Sequence, residues 1–199
     1  EHKKIIFNGN GYSDEWIAEA EKRGLYNFKT TPDALAHMLD EKNVTLFTSH
    51  NVYSKTELVA RHEVLLENYC KIINIEALTM LDMARKDILP AMSEYSATLA
   101  RDAAAKTSFD PDADCTYEKE NIKNLCALIG ACNRAVKKTE QDLISAKSIT
   151  DGAELAEFYK STIIDDMKAI RIPADEMETI ASSEKWPYPS YGELLFGIR

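Results

Sequence analysis

From Ser54 to Lys106 the chain contains no glycine and a single proline, Pro90. Those two residue types are the usual helix breakers, so such a stretch stays helical if its apolar residues share a face. They do. Val59, Leu66, Ile73 and Met80 recur seven apart, with Leu58, Leu65 and Ile72 seven apart beside them. Cys70, Ala77 and Ala84 fill the intermediate turns. A stripe of that kind needs other helices to cover it. Ser54 caps the helix, with Glu57 completing a capping box. Pro90 lacks an N–H, and its ring costs about 3 kcal/mol inside a helix. A kink over Lys86 to Leu89 is therefore expected, since both flanks read as helix.

Two further stripes follow. Ile122, Leu125, Ile129, Cys132, Val136, Leu143 and Ala146 line one face of a second long helix, interrupted only by Thr139. Thr150 to Gly152 breaks it, and Leu155, Tyr159, Ile163, Met167 and Ile170 make the third stripe. Pro173 is expected to open one more short helix, and the tail from Trp186 to be irregular. Before the long helix, the apolar run from Lys3 to Phe7 predicts one strand, and Asn8 to Gly11 a turn. Ser13 reads as an N-cap for a helix that carries Trp16, Ile17 and Ala20 and stops at Gly24. Thr31-Pro32-Asp33 opens another helix with Pro32 at its first position, and a short amphipathic piece runs from Lys42 to Ser49. The fold class expected is mainly α: a long-helix antiparallel bundle with a short N-terminal strand/turn segment. The organisation expected is an opening segment 1–30, a helical bundle 31–185 and an aromatic tail 186–199.

Composition narrows the partners. At 199 residues the chain can bury a core. Its formal net charge of −9 repels phosphate backbones, which argues against nucleic acid and anionic membrane. No apolar run approaches the ~20 residues of a membrane span. No secretory signal opens the chain, which begins at Glu1 and reads as a piece of something longer. Cys70, Cys115, Cys126 and Cys132 have neither metal-site nor redox spacing. They read as buried reduced thiols, which implies a cytoplasmic origin.

No motif that carries chemistry is complete in this sequence. Asp110, Asp112 and Asp114 open like a calcium loop, but Cys115 stands where the turn glycine belongs and Asn121 where the bidentate glutamate belongs. The stretch reads as a solvated acidic loop within Phe109 to Thr116. Gly9-x-Gly11 lacks the third glycine of a dinucleotide fingerprint, Asp14 standing in its place, and reads as a turn feeding a capped helix. His2, His37, His50 and His62 are too far apart in sequence to suggest a site, and His62-Glu63 lacks a second histidine. Paired carboxylates such as Asp165-Asp166 read as solvated helix faces. No catalytic, cofactor-binding or metal-ligating residue is assigned.

The tail is the one segment whose composition asks for a surface. Trp186, Tyr188, Tyr191 and Phe196 put four aromatics in its 14 positions, against 9% overall. Pro187 and Pro189 keep it extended. Four such rings in water would present roughly 600–1,000 Å², more than the largest patch on a typical monomer. These four are the candidate docking residues, expected to lie across their own bundle or on a neighbouring subunit.

Three stretches are more distinctive than generic helix: KKIIFNGNGYSDEW from Lys3 to Trp16, ENYCKIINIEALTMLDMARKDILPA from Glu67 to Ala91, and WPYPSYGELLF from Trp186 to Phe196. Together, and in this order, they resemble the C-terminal region of the type III glutamine synthetases. The resemblance runs from Lys3 to Phe196 and is weakest from Phe109 to Glu120. It implies a parent enzyme that joins ammonia to glutamate through γ-glutamyl phosphate, using ATP and magnesium or manganese. It implies assembly as a dodecamer of two stacked hexameric rings. It places the metal ligands, the glycine-rich segment and the phosphate-holding arginines upstream, so no catalytic residue is carried onto this chain. Lys3 to Gly24 resembles the end of the shared synthetase core, and the remainder the helical extension that marks the type. Two readings stay open at this point: the C-terminal, non-catalytic part of a ligase, or a free-standing helical interaction module.

Overall fold

The helix that begins after Ser54 is the longest feature of the fold. A computed structural model describes residues 3–197, so His2 and the last two tail positions lie outside the described residues. Helix α4 (Lys55–Met83) passes into a π-helical turn (Ala84–Ile88) and continues as α5 (Leu89–Phe109). The capping box is formed: the Ser54 N–H donates to Glu57 Oε2 at 2.8 Å, and the Glu57 N–H donates to Ser54 Oγ at 3.2 Å. Pro90 does not open a loop. The Leu89 N–H reaches back five residues to the Ala84 carbonyl, and the backbone stays helical through Ile88 and Leu89. The wider turn falls just before a residue that has no N–H to give and whose ring would crowd the carbonyl four residues back.

By their contacts the residues form two units, 1–66 and 67–199, with the division inside α4. In the first unit, residues Lys3–Ile5 form a 3-10 turn, not the expected strand. No strand occurs among the described residues, so the run has no partner for a ladder. Helix α1 (Asp14–Lys22) carries Trp16, whose ring stacks on Phe7 at 4.7 Å. Ser13 is its N-cap by position, but its hydroxyl donates to the Asn10 carbonyl at 2.9 Å instead of accepting from the helix. The helix ends at Gly24 as expected. That residue has φ +70°, and the Leu25 and Gly24 N–H groups return to Ala20 and Glu21 in a Schellman cap. Helix α2 (Thr31–Leu35) is capped by Thr30, which makes Pro32 its second residue, not its first. Helix α3 (Glu41–Ser49) closes with the same cap around Asn51, whose φ of +55° asparagine tolerates.

The second unit is the bundle. After α5 the chain turns over residues 110–115 into α6 (Thr116–Ala146). It turns again into α7 (Gly152–Phe158), a second π turn (Tyr159–Ile163) and α8 (Ile164–Ile180). Short connections make consecutive helices antiparallel, and α6 packs between α5 and α8. The α6 stripe is the most legible. Leu125, Cys132, Val136, Leu143 and Ala146 are all buried, and Thr139 joins them by donating its hydroxyl to the Ala135 carbonyl at 2.9 Å. On the third rod Ala156, Tyr159, Ile163 and Ile170 are buried, and Asp166 takes a core position that the apolar pattern had assigned to Met167. Pro173 does not start a helix. It lies inside α8 and is buried beside Ile170, Ala174 and Met177. Packing of that face against α6 outweighs the local cost of the proline. The first stripe is corrected too. Leu58, Leu66, Cys70, Ala77, Leu81 and Ala84 are buried, whereas Leu65 and Ile72 face water. The apolar belt of α4 is wider than the face that is covered.

Candidate docking site

The tail leaves α8 through a tight turn in which the Lys185 and Trp186 N–H groups both donate to the Ser182 carbonyl. Lys185 and Tyr188 tie it to its own bundle, and Trp186 packs on Tyr188 within the tail. Lys185 Nζ lies 3.4 Å from Glu94. The Trp186 and Tyr188 rings meet edge to face at 6.2 Å. The Tyr188 hydroxyl donates to Asp87 Oδ2 at 2.8 Å. Asp87 belongs to the first π turn, so the irregularity beside Pro90 carries the acceptor for the tail. Partial burial, then the Asp87 carboxylate, push the Tyr188 phenol up to about 12.

Trp186 and Tyr188 form one wall of an apolar groove of about 490 Å³. Its floor is Ile88, Ile170 and Ala174, all buried, and its opposite rim is Ile75 and Met83 of α4, both exposed. Glu76, Arg171 and Asp175 also line it, and Arg171 pairs with Asp175 at 3.1 Å. The other two candidate residues are elsewhere. Tyr191 and Phe196 belong to a short helix, α9 (Tyr191–Phe196), where the sequence had suggested irregular chain. They are 82% and 78% exposed, and Leu194 and Leu195 are exposed with them. The four candidates thus divide into a half-buried pair and an exposed pair. The signal for α9 was present: Ser190 and Glu193 form a full capping box, with the Ser190 N–H donating to Glu193 Oε2 at 2.9 Å.

The remaining polar groups hold structure. Glu118, buried at the start of α6, pairs with Lys106 at the end of α5, and that ion pair holds its carboxyl below the usual range. Asp110 and Asp114 spend their carboxylates on the N–H groups of Asp112 and Thr116. Tyr159, at the second π turn, donates to Asn74 Oδ1 of α4 at 3.1 Å. His37 Nδ1 is 3.1 Å from Asp40, and its ring stacks on Phe28. Among the described residues, no three or more His, Cys, Asp or Glu gather as metal ligands would. Cys70, Cys115 and Cys132 are buried free thiols, while Cys126 is free and exposed, contrary to expectation. No helix among the described residues is long and apolar enough to cross a membrane.

A family model described as the glutamine synthetase C-terminal domain matches residues 1–107. The chain is 39% identical to a glutamine synthetase of Butyrivibrio fibrisolvens over 198 residues, which is 100% of this chain and 28% of that protein. It is 32% identical to the type-3 glutamine synthetase of Dictyostelium discoideum, over 98% of this chain and 27% of that protein. It is 31% identical to a glutamine synthetase of Bacteroides fragilis, over 96% of this chain and 27% of that protein. The chain therefore spans little more than a quarter of the length of the curated relatives it matches.

Proposed function

Since this chain belongs to the glutamine synthetase C-terminal domain family, we propose that it serves the architecture of a glutamate–ammonia ligase and not its chemistry. The observation that carries this reading is the match itself: nearly all of this chain aligns with little more than a quarter of each relative. In the parent enzyme, ATP would phosphorylate glutamate and ammonia would displace the phosphate, with magnesium or manganese steadying the transferred group. The residues present here do not fit that cofactor. No clustered metal ligands stand among the described residues, and the Gly9 region, a turn built on Asn10, offers no phosphate cradle. No step of the reaction runs through this chain.

The first unit supports the same reading from its surface. Ile5, Ile6, Tyr12, Tyr26 and Phe28 are all exposed. Apolar groups so exposed in one small unit favour a covering partner, and the reading assigns that role to the synthetase core. Assembly with further copies into a dodecamer, in a reducing compartment that keeps the four thiols free, completes it.

Two measurements test the reading. The 199-residue chain should form no glutamine and show no specific micromolar binding of magnesium-ATP by calorimetry; binding at that level would place an active site here. Removing the chain from the full-length enzyme should break its assembly. A shortened enzyme of unchanged size and activity would remove the architectural role.

A further inference from the structure

We propose that α9 of one copy seats in the apolar groove of a second copy, so that each copy gives one tail helix and receives one. The two halves of this contact are both present, and both stand open. On α9, Tyr191, Leu194 and Leu195 fall three and four apart, which is one face of a helix. All are exposed, as is Phe196. On the bundle, the groove runs between α4 and α8 with a buried apolar floor and the exposed rim of Ile75 and Met83. A short amphipathic helix laid in an apolar groove is a common mode of recognition.

The chain's own α9 is placed against filling its own groove. Trp186 and Tyr188 line the groove on one side. The same two residues line a second hollow with Gly192 and Phe196 of α9. The helix thus lines that hollow and contributes no residue to the groove. Only Pro189 and Ser190 join it to Tyr188, and both are committed, the proline by its fixed φ and the serine as the N-cap. Tyr188 is itself tied to Asp87. The linker holds α9 away from its own groove and offers it to a neighbour.

The area agrees. At ~150–250 Å² per aromatic ring and less per leucine, α9 leaves roughly 400–500 Å² of apolar side chain in water. The groove offers less surface than the helix, so the exchange would bury roughly 550–650 Å² on each copy, near the lower end of ~600 Å² per partner for specific interfaces. The proposal rests on the architectural reading above, which supplies the further copies.

The test is photo-crosslinking in the full-length protein with p-benzoylphenylalanine in place of Leu195. The expected product is a band of at least twice the chain mass on a denaturing gel, with the crosslink mapped by mass spectrometry to the α4 segment that holds Ile75 and Met83. The band should be lost when Ile75→Glu and Met83→Glu are added, with helicity and melting temperature retained. A crosslink within one chain, a crosslink to another surface, or an interchain band that survives the groove substitutions overturns the proposal. Any of those results in an enzyme that still disassembles without this chain would sink the tail exchange alone and leave the architectural role standing.

Discussion

Asp166 is the residue at which burial and charge conflict. It is buried on α8, its Oδ1 takes Lys138 Nζ at 2.5 Å, and its Oδ2 finds no donor among the described residues. Burial pushes its carboxyl above the usual range and the nearby Asp142 carboxyl adds to that, while Lys138 pulls the other way. A carboxyl raised in the fold binds its proton more tightly than the unfolded chain does. Its contribution therefore favours the fold in acid and weakens it as pH rises through the native value. Glu118 has the opposite sign. Lys106 lowers it, so its contribution is present above the ordinary glutamate range and is lost as pH falls through the native value. Asp166→Asn should therefore melt close to the parent below about pH 4 and above it at neutral pH, because the buried charge is gone. Lys138 keeps Asp142 at 2.7 Å in that variant. Melting curves across the pH range decide the matter: a gap that stays constant, or shrinks toward neutrality, would count against the conflict. Leu125 is the ordinary case beside it. It is fully buried, and Leu125→Ala should cost about 2–5 kcal/mol by urea denaturation. A loss under 1 kcal/mol, on the order of a surface substitution, would mean that α6 is not central.

At the scale of the element, the π turns fix which faces meet. One turn closed over five residues in place of four carries one extra residue, so every side chain beyond Ile88 is rotated by ~100° from a plain α-helical path. Met92, Tyr95 and Leu99 are buried in that rotated frame. Deleting Lys86, an exposed residue of the turn, with Pro90→Ala to restore the N–H, should let the rod continue as α-helix with the same face toward α6. A drop of about 1–2 kcal/mol is expected, from the Lys86–Asp82 pair and the local distortion. Deleting exposed Lys137 from α6 should unfold the bundle, because Thr139, Leu143 and Ala146 would all leave the core. Equal losses from the two deletions, read by circular dichroism melts, would mean that the turn does not set the phase. The same physics marks what the sequence could tell. The α6 stripe, the Ser54 box and the Gly24 stop are local, and their residues sit where periodicity and capping put them. Pro173 was judged by local cost, and packing against α6 decided otherwise. At Pro90 both flanks are helical as expected, and the irregularity is the π turn Ala84–Ile88. The groove was not legible at all, because Ile75, Ile170 and Trp186 converge only through the tertiary fold. The tail's aromatic excess was legible, but composition could not say that Tyr188 would meet Asp87 while Tyr191 stayed in water.

At the scale of the molecule, the two units differ in how much of their apolar surface they cover for themselves. The bundle buries Leu81, Met92, Leu125, Val136, Ile163, Ile170 and Met177 within one helical core. In the first unit α1 buries only Ala20 and α3 buries nothing, while Tyr12 is 100% exposed. Over residues 3–53 only Ala20, Pro32 and Leu35 are buried, and surface aromatic and cation contacts add to them, such as Phe7 on Trp16 with Arg23 at 5.7 Å from the same indole. Surface contacts of that kind contribute about 0.5–1 kcal/mol each, too little to protect a backbone for long. Amide exchange should therefore be fast over residues 3–53 in the 199-residue chain and slow over α6 and α8. If the first unit packs on a synthetase core, the same amides should slow by about tenfold or more in the full-length enzyme, which corresponds to at least 1.4 kcal/mol of added protection. The α6 amides, already covered within the bundle, should change little. Exchange over residues 3–53 that is equally fast in both proteins would mean that Ile5, Ile6, Tyr12, Tyr26 and Phe28 meet no core, and the seam between this chain and its parent would have to lie elsewhere.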